Sequence, residues 1–154
     1  MLDTLLDQGM MVAFISNSDN LGASVSPTIL KSFLESGSTL MMEVARRTSS
    51  YRKGGHLARR LTDDQYILRE SAQCPPEDIA HFQDISRHRY FNTNNLWLRL
   101  DHLKEVFSSP EDALKLPLIR NLKRLDPANP HSPEVIQLET AMGAAIECFK
   151  RTSA

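Results

Sequence analysis

Short apolar runs alternate with amphipathic segments along this chain. Apolar runs of this kind, bounded by turn-forming residues, are typical of β-strands. They predict strands at Met11–Ile15, Thr39–Ala45, Tyr66–Gln73, Tyr90–Leu100 and Val135–Gln137, the last one short and buried. Strands that alternate with helices favour an α/β fold, in which a mixed β-sheet is flanked by helices.

Helix signals lie between these strands. Met1–Gly9 ends in a glycine, which is typical of a helix C-terminus. Ser26 and Pro27 suit the N-cap and the first turn of a helix that is expected to continue to Gly37. Further helices are predicted at Pro75–Ile85, Asp101–Phe107 and Glu139–Phe149. The segment Pro110–Pro133 is rich in proline and charge, which predicts an exposed excursion.

The composition is that of an ordinary globular domain. The chain has 154 residues, 41% of them hydrophobic and 24% charged, and a formal net charge of -1. A chain of this length supports one domain with a real core, and its charge predicts neither nucleic acid nor an acidic membrane as a partner. Cys74 and Cys148 lack metal-ligand spacing, and no signal peptide or bilayer-spanning run is evident. These features predict a cytoplasmic protein.

The first candidate site follows the apolar run that ends at Ile15. The polar segment Ser16–Ala23 contains Asn17 and Asp19 and lies where a strand would end. Ligands of open α/β sheets bind at the carboxyl ends of strands, and a single carboxylate there suits Mg²⁺, which completes its shell with phosphate oxygens and water. The alternative is a loop whose polar side chains satisfy only backbone groups.

Two further motifs have side chains suited to a sugar phosphate. The pair Gly54-Gly55 allows close approach of a ligand to the backbone, and Lys53 beside it can neutralise a phosphate, although an ordinary turn explains this motif equally well. The amides of Asn92 and Asn94 belong to an apolar segment that also contains a third asparagine. Buried amides need partners, which are either sugar hydroxyls or an internal polar ladder.

Two carboxylate segments complete the candidates. Glu70 could accept hydrogen bonds from sugar hydroxyls, or it could lie on an exposed strand face. Gln137–Thr140 is predicted at a junction between a strand and a helix, where backbone amides favour anions or simply begin a capped helix. The histidines lack metal-binding spacing, and no Ser-His-Asp or Cys-His arrangement supports covalent catalysis.

Taken together, these motifs resemble the UDP-glucose pyrophosphorylase family. They occur in the family's order and span nearly the whole chain. The matching stretches are Phe14–Ala23, Met42–Val44, Lys53–Gly55, Glu70–Gln73, Phe91–Trp97 and Val135–Ala145.

The resemblance implies a glycosyltransferase-A-like nucleotidyltransferase fold and a reaction that needs Mg²⁺. In that reaction UTP and glucose 1-phosphate form UDP-glucose and pyrophosphate reversibly, by positioning and charge neutralisation rather than through a protein nucleophile. By the same resemblance Asp19 would bind the metal, Asn17 would lie near the nucleotide and Lys53 near phosphate. The residues that would line the glucose are Gly55, Glu70, Asn92 and Asn94.

The chain also departs from the family pattern. The resemblance implies a glycine-rich nucleotide loop before Met1, and after Ala154 a segment with a catalytic lysine and a β-helix domain. Residues 48–52 and 148–154 also differ from the usual pattern. We therefore expect residues 1–154 to form a partial catalytic domain, incomplete at both ends, with little or no activity alone and with self-association through exposed sheet edges. The alternatives are a UDP-N-acetylhexosamine pyrophosphorylase and a non-catalytic interaction module.

Overall fold

A six-stranded mixed sheet forms the centre of the molecule, in a computed structural model that describes residues 1–50, 54–108 and 114–154. Two further strands form a separate antiparallel hairpin. In chain order the strands are β1 Val12–Ile15, β2 Leu40–Arg46, β3 His56–Arg59, β4 Tyr66–Arg69, β5 Tyr90–Arg99, β6 Leu118–Arg124, β7 Glu134–Thr140 and β8 Thr152–Ser153. The helices are α1 Leu2–Asp7, α2 Pro27–Ser36, α3 Ile79–Phe82 and α4 Leu100–Ser108, with 3₁₀ segments at Ser71–Gln73, Pro76–Asp78 and Met142–Cys148.

Strand β5 is the strand on which the sheet is built. Strand β2 pairs with it antiparallel along one edge, and β8 adds to β2 in parallel. Strand β1 pairs with the opposite edge at the carboxyl end of β5, from Leu96 to Arg99. Strand β3 joins that same edge at the other end, where His56 pairs with Phe91, and β4 extends the sheet beyond β3. The predicted mixed sheet is therefore confirmed.

The middle of β5 is irregular. Glu43 pairs with Asn95 but the next residue, Val44, pairs with Asn92, so β5 carries two extra residues at this point. Asn94, one of the two, has a φ of 60°, a left-handed conformation that asparagine tolerates better than most residues. We call residues 92–95 the β5 bulge. In the part of the chain that the structure describes, no strand pairs with this bulge on the edge shared by β1 and β3.

The core follows the alternation of side chains along β2 and β5. Met41 and Trp97 form a directly opposed pair on one face, where Phe33 of α2 packs against them. Complete burial of a phenylalanine side chain such as that of Phe33 stabilises the fold by about 1.5–3 kcal/mol. The opposite face holds the larger cluster, which is formed by Leu40, Met42, Leu68, Leu96, Leu98, Ala145, Ile146 and Phe149. Helical segments thus cover both faces, as predicted.

Helix α2 begins and ends as its sequence predicts. The Ser26 hydroxyl accepts a hydrogen bond from the amide of Ile29, and Pro27 is the first helical residue. Gly37 follows the helix with a φ of 66°, which a residue with a side chain rarely adopts. The helix predicted within Met1–Gly9 is also confirmed, as α1.

The carboxyl-terminal third differs from its prediction. Strand β7 is longer than the predicted strand and exposed along its whole length, so the expected burial is wrong. It pairs with β6, a mostly exposed strand that lies inside the segment predicted to be an exposed excursion. The predicted helix from Glu139 is also wrong, because the hairpin extends to Thr140 and a 3₁₀ segment follows. The apolar residues of β7 predict a buried strand, but they lie on a two-stranded hairpin in which every residue of β7 is exposed.

Smaller differences concern the segment between the two glycines and β5. Strand β3 was not predicted, β4 ends at Arg69 rather than at Gln73, and the helix expected from Pro75 is a 3₁₀ turn followed by α3. After β5, helix α4 begins at Leu100, one residue before the predicted start at Asp101, and the Asp101 carboxylate accepts two hydrogen bonds from Arg99. Among the described residues, none of the helices has the length and hydrophobicity needed to cross a bilayer.

Candidate functional site

The candidate site lies at the β5 bulge, where the edge of the sheet is open between β1 and β3. The loop after Ile15 enters this opening from one side, because β1 ends beside Leu96. The glycine pair enters it from the other side, since β3 begins beside Phe91. Two segments that are far apart in sequence therefore meet at one gap in the sheet.

Gly55 and Glu70 are in direct contact at this gap. The carbonyl of Gly55 accepts a hydrogen bond of 3.0 Å from the backbone N–H of Asn92. A Cβ atom at Gly55 would lie 2.5 and 2.6 Å from the two carboxylate oxygens of Glu70, so a side chain there would displace the carboxylate. This close approach explains the glycine. It also shows that Glu70 faces the gap, and the alternative of an exposed strand face is wrong.

Burial raises the pKa of the Glu70 carboxyl, and the carboxylate of Glu139 on β7 adds to the effect. Glu139 itself accepts a hydrogen bond from the Asn121 side chain across the hairpin. Residues that pair across the hairpin share a face, and the neighbour of Glu139, Ile119, is buried. The face of the hairpin that carries Glu139 is thus turned towards the molecule. Gln137–Thr140 therefore belongs to β7 and is not the junction of a strand with a helix. It contributes a second carboxylate, that of Glu139, which acts on the pKa of Glu70.

Asn92 and Asn94 bind each other. Nδ2 of the Asn92 side chain donates to Oδ1 of Asn94 at 2.9 Å, and the backbone N–H of Asn94 donates to Oδ1 of Asn92 at 2.8 Å. The internal ladder considered as an alternative is therefore present. It leaves hydrogen-bonding capacity, because within the described residues the Nδ2 group of Asn94 donates no hydrogen bond. Both side chains are half-buried.

The third asparagine, Asn95, is structural. Its Oδ1 atom accepts hydrogen bonds from the Ser16 hydroxyl at 2.7 Å and from the side-chain Nδ2 group of Asn20 at 3.2 Å. Its own amide donates to Glu43 at 3.0 Å, and Glu43 also accepts from Nε1 of Trp97 at 2.6 Å. This network fixes the loop after β1 to the β5 bulge. Sequence reasoning did not single out Asn20, Glu43 or Asn95 for this task.

Asn17 and Asp19 lie in that loop with exposed side chains. The turn is closed by a hydrogen bond of 3.1 Å from the backbone N–H of Asn20 to the backbone carbonyl of Asn17. Within the described residues the Asp19 carboxylate takes part in no hydrogen bond or ion pair, so it is available to a ligand. No group of three metal-ligating side chains occurs in the same described part of the chain. A lone free carboxylate fits Mg²⁺, which keeps several waters and shares phosphate oxygens.

The structure thus brings Gly55, Glu70, Asn92 and Asn94 together and places the loop with Asn17 and Asp19 beside them. Lys53 lies outside the described residues. Gly143 is a further participant that the sequence analysis missed. A Cβ atom there would lie 2.8 Å from Nδ2 of Asn92, so the 3₁₀ segment supports the bulge from one face of the sheet. The small residues near it, Ala141, Ala144 and Ala145, were the available signal of such close packing.

Comparison with known proteins identifies relatives along the whole chain. The family model described as UTP–glucose-1-phosphate uridylyltransferase matches residues 1–154. A probable UTP–glucose-1-phosphate uridylyltransferase of Schizosaccharomyces pombe is 41% identical over 152 residues, which are 97% of this chain and 28% of the relative. The UTP–glucose-1-phosphate uridylyltransferase of Saccharomyces cerevisiae is 42% identical over 148 residues, or 96% of this chain and 29% of the relative. The chain therefore spans less than a third of the length of these relatives.

Solved structures give the same result for the fold. The UDP-glucose phosphorylase of Trypanosoma brucei has a TM-score of 0.86 and 47% identity, and the match covers 99% of this chain and 33% of that protein. A point mutant of UDP-glucose pyrophosphorylase from Leishmania major, in complex with UDP-glucose, has a TM-score of 0.83 and 47% identity. That match covers 99% of this chain and 34% of the Leishmania protein.

Proposed function

Because the chain belongs to the UTP–glucose-1-phosphate uridylyltransferase family, we propose that it supplies the sugar-phosphate part of a site that forms UDP-glucose and pyrophosphate from UTP and glucose 1-phosphate. The observation that carries this proposal is the meeting of Gly55, Glu70, Asn92 and Asn94 at the β5 bulge. The fold, a mixed sheet flanked by helices, is that of the UDP-glucose pyrophosphorylases to which the chain is similar.

The side chains at the bulge suit the hydroxyl groups of glucose. A hydroxyl both donates and accepts, so it is best held by a mixture of acceptors and donors. Glu70 supplies acceptor oxygens, and the Nδ2 group of Asn94, which donates no hydrogen bond in the part of the chain that the structure describes, supplies a donor. Gly55 allows the ring to approach the backbone, and Asn92 holds Asn94 in place. Each hydrogen bond that the sugar makes here contributes about 0.5–1.5 kcal/mol.

The loop after β1 suits the phosphates. Asp19 would hold Mg²⁺ with its carboxylate, and the ion would supply neutralisation of phosphate charge. Asn17 would lie beside the nucleotide, and Lys53 near phosphate. The network of Asn20, Asn95 and Glu43 keeps this loop at a fixed place relative to the sugar-binding residues.

The residues of the chain act in this reaction by orientation. A phosphate oxygen of glucose 1-phosphate attacks the α-phosphorus of UTP, and the bond between that phosphorus and the oxygen of the departing pyrophosphate breaks. No protein nucleophile is needed, because alignment of the two phosphates supplies much of the rate enhancement. Since the chain matches 28–29% of the length of the two fungal relatives, we expect the isolated chain to bind the sugar phosphate only weakly and to show no detectable turnover.

A chimera tests the proposal most directly. The segment of the Saccharomyces cerevisiae relative that aligns with this chain over 148 residues is replaced by the chain, and UDP-sugar formation is measured with glucose 1-phosphate and with N-acetylglucosamine 1-phosphate. We expect activity with glucose 1-phosphate. A preference for the N-acetylated sugar would support the hexosamine alternative instead.

The same chimera tests Asp19. Asp19→Ala should lower kcat/KM by roughly a hundredfold or more, because metal-based stabilisation of charge in the transition state contributes several kcal/mol. Asp7→Ala, which removes an exposed carboxylate of α1, is the control and should leave the activity unchanged. Normal turnover and normal Mg²⁺ dependence in Asp19→Ala would exclude the metal role.

A further inference from the structure

Arg47 is buried behind the glycine pair. Arg47 is the residue directly after β2, and it is only 5% exposed. One end of the guanidinium, Nη2, donates to the Gly54 carbonyl at 3.0 Å, and the other, Nη1, donates to the Phe82 carbonyl at 3.2 Å. The guanidinium thus connects the glycine turn to the end of α3.

Aromatic rings enclose this guanidinium. Its carbon lies 5.8 Å from the centre of the Phe82 ring. His56, which is completely buried, packs against Phe82 at 4.5 Å and stacks on His88 at 4.0 Å between ring centroids. Nη1 of Arg47 lies 3.4 Å from Nδ1 of His56, which can accept a hydrogen bond in the tautomer with its proton on Nε2.

The glycine turn is therefore held from several directions. Arg47 holds the Gly54 carbonyl, Asn92 holds the Gly55 carbonyl at 3.0 Å, and the Glu70 carboxylate packs against the Gly55 Cα. Burial of a guanidinium is costly unless its donors are satisfied. A neutral apolar side chain would fill this space at a lower cost but could not fix a carbonyl.

We propose that Arg47 is a positioning residue, whose planar guanidinium fixes the Gly54–Gly55 turn at the separation from Glu70 that the sugar requires. The part of this inference that concerns the sugar rests on the proposed function. Lysine cannot replace arginine here, because its ammonium group is a compact point charge and cannot bridge two carbonyls with a rigid fork.

Hydrogen exchange in the ligand-free chain tests the positioning itself. In Arg47→Lys, protection of the Asn92 amide, which donates to Gly55, should fall by about tenfold or more, whereas the Leu98 amide, between β1 and β2, should keep its protection. Arg46→Lys is the matched control, since Arg46 is the exposed neighbour. Arg47→Gln, which retains one donor group, is a second variant in case lysine is not accommodated.

Ligand titration of the same ¹⁵N-labelled proteins tests the consequence for the sugar. Affinity for UDP-glucose should fall at least fivefold in Arg47→Lys, whereas affinity for uridine monophosphate should change less than twofold. Unchanged protection at Asn92 in both Arg47 variants would overturn the inference, and so would an equal loss at Asn92 and Leu98. If the unsubstituted chain does not bind UDP-glucose at millimolar concentrations, the proposed function fails, and the exchange result still decides the role of Arg47.

Discussion

His56 is completely buried, and its ring nitrogen Nε2 has no hydrogen-bond partner within the described residues. Burial lowers the pKa of His56 to about 3, and the charges of His88, Arg69 and Arg47 act in the same direction. The ring is therefore neutral in the folded protein at every pH at which the protein would work. Because the ring is neutral, its Nδ1 atom can accept a hydrogen bond from Arg47. Protonation of the ring in acid would remove this acceptor.

The free energy of unfolding should consequently fall in acid on account of this histidine. The unfolded chain takes up a proton near pH 6.5 and the folded chain only near pH 3, so stability that is present above pH 6.5 is lost as the pH falls between these values. Between pH 7 and pH 5 the loss should be about 2 kcal/mol smaller in His56→Phe than in the unsubstituted protein. Urea unfolding at both pH values measures it. His131→Gln, at an exposed position, should keep the original pH dependence, and equal slopes in all three proteins would contradict the explanation.

Gly143 is the second residue whose environment permits a sharp prediction. A Cβ atom there would lie 2.7 Å from Cδ2 of Leu68 and 2.8 Å from Nδ2 of Asn92. Leu68 is in the core and cannot easily move, so Gly143→Ala should displace the Asn92 amide from Asn94 and cost about 1 kcal/mol. Urea unfolding checks this value. Gly22→Ala, whose nearest neighbour would be at 3.6 Å, should have almost no effect, and equal results for the two variants would exclude the steric explanation.

At the scale of elements, prediction from sequence succeeded where the signal was local. Helix α2 is bounded in the sequence by its N-cap Ser26 and by Gly37, and the apolar residues on either side of its asparagines predicted β5. Strand β6 was not predicted because four of its seven side chains are polar or charged and its apolar residues do not alternate with them, so that only its pairing with β7 makes it a strand. A helix was predicted over Glu139–Phe149, but the chain forms a 3₁₀ segment at Met142–Cys148, where Gly143 packs against the sheet.

The N-cap of α2 offers a test of local encoding. Ser26→Ala removes the acceptor for the Ile29 amide and should destabilise the protein by about 0.5–2 kcal/mol. Ser32→Ala, at an exposed position inside the same helix, should be neutral or slightly stabilising, because alanine has the higher helix propensity. Thermal and urea unfolding of both variants measure the difference. A cost at position 32 as large as that at position 26 would show that the cap does not explain the effect.

At the scale of the whole molecule, the site depends on contacts that no single segment encodes. The sequence motifs identified Gly55, Glu70, Asn92 and Asn94, but only the pairing of β1 and β3 with one edge of β5 opens the gap in which they meet. Asn95 has a structural role because Ser16 and Asn20, in the loop that follows β1, donate hydrogen bonds to its side chain. The contributions of Arg47 and Gly143 depend in the same way on long-range packing.

The hairpin should also determine how the isolated chain behaves in solution. One of its faces exposes four large apolar side chains, those of Leu118, Leu122, Ile136 and Leu138. Exposed apolar faces and unpaired edges favour association, so the average mass in sedimentation or light scattering should rise with concentration. Leu122→Ser should reduce this rise, whereas Leu61→Ser, at an isolated exposed leucine, should not. A constant monomer mass over the micromolar to millimolar range would disprove the expectation.

The central place of β5 has a consequence for synthesis on the ribosome. Strands β1 and β2 pair with β5, and β2 also with β8, but within the described residues they do not pair with each other. When residues 1–46 have emerged, β1 and β2 therefore still lack the strand with which both of them pair among the described residues. The first strand pair available to it is β3 with β4, and the main sheet can close only after Arg99 has left the exit tunnel. Until then Met41, Met42 and Phe14 lack the β5 residues with which they pair, so translation rather than local propensity sets the earliest time at which these three strands can join.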